Sequence, residues 1–174
     1  MKKRYLLSFV CLLTLALFSS TANSAGEVEY IIEKDFTTMT PNYMPGHGTD
    51  PAWIEGFQVG GDIFFNGGKV GTVTGNVWLW NPPMVLGAPY AQVGMVFTNT
   101  ITGLGTFEEH SQGVALGSST SAASGDVTVA WSGSVANGTG FFTNRYGVCA
   151  GAVTANNFTG TGSGSEIVLL RSGF

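Results

Sequence analysis

Apolar and polar residues alternate at every second position along much of this chain. Beyond its first two dozen residues, no window carries the i, i+3, i+4, i+7 spacing of an amphipathic helix. Thr72, Thr74, Asn76, Trp78 and Trp80 fall on one side of an extended strand, with Val73, Gly75, Val77 and Leu79 on the other. Tyr90, Gln92, Gly94, Val96 and Thr98 alternate in the same way with Ala91, Val93, Met95, Phe97 and Asn99. Val127, Val129 and Trp131 alternate with Asp126, Thr128 and Ala130.

Turn chemistry punctuates the alternation. Asn66-Gly-Gly-Lys69 reads as a hairpin, and Asn81-Pro-Pro83 stops the Trp-bearing strand because proline cannot donate to a ladder. Asn137-Gly-Thr-Gly140 and Gly160-Thr-Gly-Ser-Gly-Ser165 read as further breaks, and Ser118–Ser124 as a polar loop. Strands are expected at 27–35, 55–65, 69–80, 89–99, 104–117, 126–135, 145–155 and 165–171, with a long Pro- and Gly-bearing loop between the first two. Eight short strands point to an all-β, eight-stranded antiparallel β-barrel, whose closure removes exposed edges. A two-sheet sandwich is the competing arrangement.

Composition narrows the compartment and the partners. Lys2, Lys3 and Arg4, the apolar run Tyr5–Phe18 and the small residues up to Ala25 follow the order of a secretory signal peptide. The apolar run is shorter than the roughly 20 residues that a membrane-crossing helix needs. Residues 1–25 are therefore expected to be a cleaved leader, and 26–174 a single secreted or periplasmic barrel domain. The short, basic leader looks bacterial, so the sequons Asn137-Gly-Thr139 and Asn157-Phe-Thr159 read as turns. Removing the leader leaves Lys34, Lys69, Arg145 and Arg171 against all 11 acidic residues. So acidic a chain, with no basic patch, excludes nucleic acid as a partner. Cys149 is then the lone cysteine, which rules out an internal disulfide and suits a small buried hydrophobe.

The segment Gly138-Thr-Gly-Phe-Phe-Thr-Asn-Arg-Tyr-Gly147 resembles the Gly-Thr-Gly-x-Phe/Tyr…Gly turn-and-strand motif of allene oxide cyclases and plant dirigent proteins. The runs Gly56–Phe65 and Lys69–Gly75 are similar to the second and third strands of that barrel family. The resemblance covers roughly residues 55–171 and, weakly, the strand Glu27–Asp35. It implies an eight-stranded barrel with a ligand-accepting lumen, often trimeric, that guides ring closure or radical coupling of a bound apolar molecule. No motif around Glu29, Glu33 or Glu108 matches the catalytic carboxylates of that family.

Candidate chemistry is sparse. Glu108-Glu109-His110 is the densest titratable cluster; on a strand, Glu108 and His110 share a face, where the carboxylate could orient the imidazole as a general base. The bland alternative is a solvated strand rim. Asn76, Trp78, Tyr90 and Gln92 could line a lumen, the rings giving area and the amides orientation; parity alone leaves either face inside. Arg145, within the matched motif, could meet an anionic group or simply follow a turn in solvent. His47 and Asp50 share a loop but fall short of the three or four ligands of a metal site, so no metal and no cofactor are expected.

The leading expectation is a secreted barrel that binds an apolar small molecule and guides its cyclisation or isomerisation. A noncatalytic carrier or interaction barrel is the alternative from a different class. A third reading, an outer-membrane barrel, draws on the strand number and the terminal Phe174, but Glu166 and Ser172 sit where an outward apolar residue belongs.

Overall fold

The computed structural model describes residues 27–41, 54–80, 90–117, 125–156 and 159–172. Eight strands form one closed antiparallel barrel in sequence order, β1-β2-β3-β4-β5-β6-β7-β8. They are β1 (Glu27–Pro41), β2 (Ile54–Phe65), β3 (Gly68–Trp80), β4 (Tyr90–Ile101), β5 (Gly105–Gly117), β6 (Asp126–Ala136), β7 (Arg145–Asn156) and β8 (Thr161–Ser172). The ring closes where β1 pairs with β8, from Glu27 opposite Arg171 to Phe36 opposite Gly162. No sandwich forms.

Two strands run further than their sequences suggest. β1 continues to Pro41 through a register shift between Phe36 and Thr38, which lets it follow β2 around the barrel. β8 begins at Thr161, inside the Gly/Ser stretch that reads as a break. Gly162, Ser163 and Gly164 are paired on both sides, to β1 and to β7, and ladder hydrogen bonds need no side chain. The leader, the 42–53 loop with His47, and the 118–124 loop lie outside the described residues.

The hairpin turn at Asn66–Gly67 places both residues at positive φ, 50° and 75°, as a tight two-residue hairpin requires. That turn, the Thr102–Leu104 turn and the β6–β7 connection close one end of the barrel, here the lower end. A single 3-10 turn, η1 (Gly140–Phe142), tucks Phe142 inward there. The strand ends Pro41, Trp80, Gly117 and Asn156 lie at the upper end.

Closure of the ring settles which of the two alternating faces fills the lumen. Val73, Val77 and Leu79 of β3, Val93, Met95 and Phe97 of β4, and Val127, Val129 and Trp131 of β6 pack in one interior cluster. Glycine at two inward positions makes room for the large rings: a Cβ on Gly75 would collide with Phe97, and one on Gly151 would sit 2.6 Å from the Trp131 ring. The outer face is mixed: Thr72, Thr74, Gln92, Gln112, Ser132, Ser134 and Thr154 are exposed there, and so are Ile31, Tyr90, Val114, Leu116, Tyr146 and Val148.

Candidate functional site

Three charged side chains sit on inward positions of otherwise apolar strands. Lys34 lies between Ile32 and Phe36 on β1, Glu109 between Phe107 and Ser111 on β5, and Glu166 two residues before Val168 on β8. All three are at most 1% exposed. Strand geometry leaves them no way out, because the parity that buries their apolar neighbours points them at the barrel axis. They meet there. Lys34 Nζ donates to Glu109 Oε2 at 2.7 Å and lies 2.5 Å from Glu166 Oε2. Asn99 Nδ2 donates to Glu109 Oε1 at 2.7 Å, and Trp131 Nε1 donates to Glu166 Oε1 at 2.8 Å. Ser111 Oγ and Cys149 Sγ, 3.4 Å apart and buried, complete the layer.

Electrostatics make this layer a proton-holding centre. Two carboxyls face a single ammonium in a medium that solvates charge poorly. Burial, aided by Glu166, pushes the Glu109 carboxyl up to about 8 against the opposing pull of Lys34. Glu109 is the group so raised, and Glu166 acts on it as the neighbouring carboxyl. Burial works against the Lys34 ammonium, but the two carboxyls outweigh it and hold it protonated. Burial, with Glu166 and Glu109 nearby, drives the Cys149 thiol upward, so it stays neutral and unreactive. Donor atoms of Glu109, Cys149 and Glu166 lie within 4.8 Å of one another, close enough to hold a cation. The Lys34 ammonium already fills that role.

A pH dependence follows. The folded-state value of Glu109 lies above the ordinary 4.5, so the folded protein binds this proton more tightly than the unfolded chain. Its stabilising contribution is full below about 4.5 and is lost as pH rises through about 8. Lys34, whose value is raised above 10.5, stays charged across that window. Asn99, Ser111 and Trp131, which also face the centre, do not titrate there. The melting temperature is expected to fall between about pH 5 and pH 8.5, and Glu109→Gln to flatten the slope. Melting curves of both proteins across that range check this.

The layer divides the lumen into two apolar chambers. The upper one is lined by Phe36, Met39, Phe57, Val59, Val77, Leu79, Met95, Phe97, Val127, Val129, Trp131, Val153 and Ala155 and holds about 60 Å³ of free space. Phe97 packs against Phe36 at 5.7 Å between ring centroids, and against Trp131 edge to face at 6.4 Å. Lys34 Nζ lies 5.0 Å from the Phe97 ring centre on the far side of that wall. The lower chamber holds about 210 Å³ among ten side chains, including Tyr30, Ile32, Ile101, Phe107 and Val168.

The residues singled out from sequence lie elsewhere. Asn76 and Trp78 sit on the face of β3 opposite Val77 and Leu79, and Tyr90 and Gln92 are exposed on β4, outside the lumen. The reason is that both faces of β3 and β4 carry apolar side chains, so the period sets the alternation without its sense. Glu108 and His110 do come together, with 3.4 Å between Oε2 and Nε2, but on the outer surface. There Asn137 Nδ2 donates to Glu108 at 2.6 Å, and this bond, followed by His110, holds the Glu108 carboxyl below its usual range. Arg145 packs at the lower end, its Nε donating to the Phe141 carbonyl at 2.9 Å and its guanidinium 4.1 Å from the Phe141 ring centre. It lines neither chamber. The central residues Lys34, Asn99, Glu109, Trp131 and Glu166 carried a usable signal: each shares its strand parity with the apolar side.

The chain matches no protein-family profile and no curated protein sequence. Among solved structures it is similar to a nonspecific heme-binding cyclase that catalyses a 4 + 2 cycloaddition during neoabyssomicin biosynthesis. The TM-score is 0.50 and the identity 12%, over 91% of this chain and 70% of that one. At that identity the likeness speaks to the barrel fold.

Proposed function

We propose that the barrel binds an apolar small molecule in its upper chamber and guides its cyclisation or isomerisation there. The carrying observation is the aromatic wall of Phe36, Phe57, Phe97 and Trp131, backed by a buried polar centre that fixes it. Because Trp131 Nε1–H is held by Glu166, the indole is locked in place and presents a rigid face. Donation to a carboxylate also enriches that face in electron density, which suits positive charge developing on a folding substrate. No titratable side chain lines the chamber among the described residues, so its action is to fold and enclose the ligand. Met39 and Met95, unbranched and adaptable, are the lining side chains that yield to enlarge the space.

The similar cyclase supports this reading by hosting a ring closure on the same fold. The resemblance of Gly138–Gly147 to allene oxide cyclases and dirigent proteins supports it from sequence and extends it to a trimer. The leader pattern supports export before the barrel acts. The two chambers of the lumen are lined by apolar side chains, whereas a lipid-embedded barrel carries polar groups within.

Native mass spectrometry of the chain exported to a bacterial periplasm and purified without detergent tests the proposal. The expected species starts between residues 23 and 26 and retains an apolar molecule that Trp131→Phe holds less tightly. Incubating the acyclic form of that molecule with fresh protein separates turnover, which yields a ring-closed or isomerised product, from mere carriage. A lumen empty in every preparation counts against the proposal.

A further inference from the structure

The reaction proposed above leaves the lower chamber unused. That chamber is the larger of the two, with about 210 Å³ of space, and no polar atom faces it. A dry apolar cavity of about 150 Å³ is enough for benzene, and water needs two to four polar partners that this lining does not offer. The Lys34–Glu109–Glu166 layer separates it from the upper chamber: Ile32 lies on one side of Lys34 and Phe36 on the other, and Ile101 and Phe97 flank Asn99 in the same way.

The lower chamber also has an entrance. Phe65 and Leu104 line it, yet they are 41% and 44% exposed. Phe65 immediately precedes the Asn66–Gly67 turn, and Leu104 stands between Gly103 and Gly105, at φ 75° and 123°. The opposite side is closed, where buried Phe142 packs on Phe107 with ring centroids 4.9 Å apart. Large apolar side chains held in solvent at the rim of an apolar cavity are what a hydrocarbon ligand would cover.

We propose that the lower chamber is a second, separate binding site for a small hydrocarbon ligand, such as a single aromatic ring, that enters between the 66–67 and 102–104 turns. It discriminates by exclusion, since any hydrogen-bonding group on the ligand would be buried without a partner. The site is independent of the upper-chamber reading, and each can fail alone.

Toluene titrated into the full mature chain, with Ile, Leu and Val methyl groups observed by nuclear magnetic resonance, is the test. Saturable shifts are expected at Ile32, Ile101, Val168 and Leu170, with Val127, Val129 and Val153 unmoved. Leu104→Asp changes an exposed rim residue, so the barrel stays folded, and it should weaken toluene binding at least about tenfold. Val70→Phe, which fills the chamber, should abolish binding. Benzyl alcohol should bind at least about tenfold more weakly than toluene. Shifts confined to the upper methyl groups, no saturable shift, or equal toluene affinity in Leu104→Asp would each overturn the proposal.

Discussion

Lys34→Met is expected to destabilise the barrel by about 3–5 kcal/mol, the usual cost of removing one partner from a buried ion pair. Glu109 and Glu166 would then face each other without the ammonium that now lies within 2.7 Å of both. Against a total stability of about 5–15 kcal/mol for a typical domain, that loss leaves a marginal protein. The triple change Lys34→Met, Glu109→Gln, Glu166→Gln should recover most of it, because neutral amides can still hydrogen-bond to Asn99 and Trp131 without buried charge. Urea unfolding of the three proteins checks both steps. Equal stability of Lys34→Met and the parent would mean that the three groups are not a buried, mutually dependent centre.

Trp131→Ala carries the second large effect. The ring is 6% exposed, packs on Phe97 and donates its Nε1–H to Glu166. Truncating a buried tryptophan costs about 3–5 kcal/mol through lost packing and the space left behind. Trp131→Phe keeps much of the packing and removes the donor, for about 1–3 kcal/mol. The two variants therefore separate the ring from its hydrogen bond, and thermal unfolding distinguishes them. If they proved equally stable, the indole packing would have no role of its own.

The strands were legible because period-two alternation and turn residues mark them directly. The breaks at Asn66–Gly67 and Asn137–Gly140 lie between strands, while Asn81–Pro83 fall outside the described residues. The Gly160–Ser165 stretch misled, since low strand propensity does not prevent pairing when both neighbouring strands are in place. The lumen was harder to read. On β3 the choice between the Trp78 face and the Val77 face needed knowledge of the whole ring, in which Val73, Val77 and Leu79 join the interior cluster. Charged residues offered the better guide. Glu109 takes the face opposite Glu108 and His110, as alternation requires, and that face is the inner one. A lone Lys among Ile32 and Phe36, and a lone Glu before Val168 and Leu170, are costly inside unless they meet, and they meet across 75 residues of sequence, from Lys34 to Glu109. Such a pairing is a property of barrel closure, beyond the reach of local patterning.

Whether an apolar ligand lies against Trp131 in the upper chamber is read from the fluorescence of that residue alone. Trp53, Trp78 and Trp80 are replaced by Phe, and the chain is titrated with N-phenyl-1-naphthylamine as an apolar probe. A saturable loss of Trp131 emission is expected at one probe per chain, and it should persist in Val70→Phe, where the lower chamber is filled. A folded protein whose Trp131 emission shows no saturable change would contradict binding against Trp131.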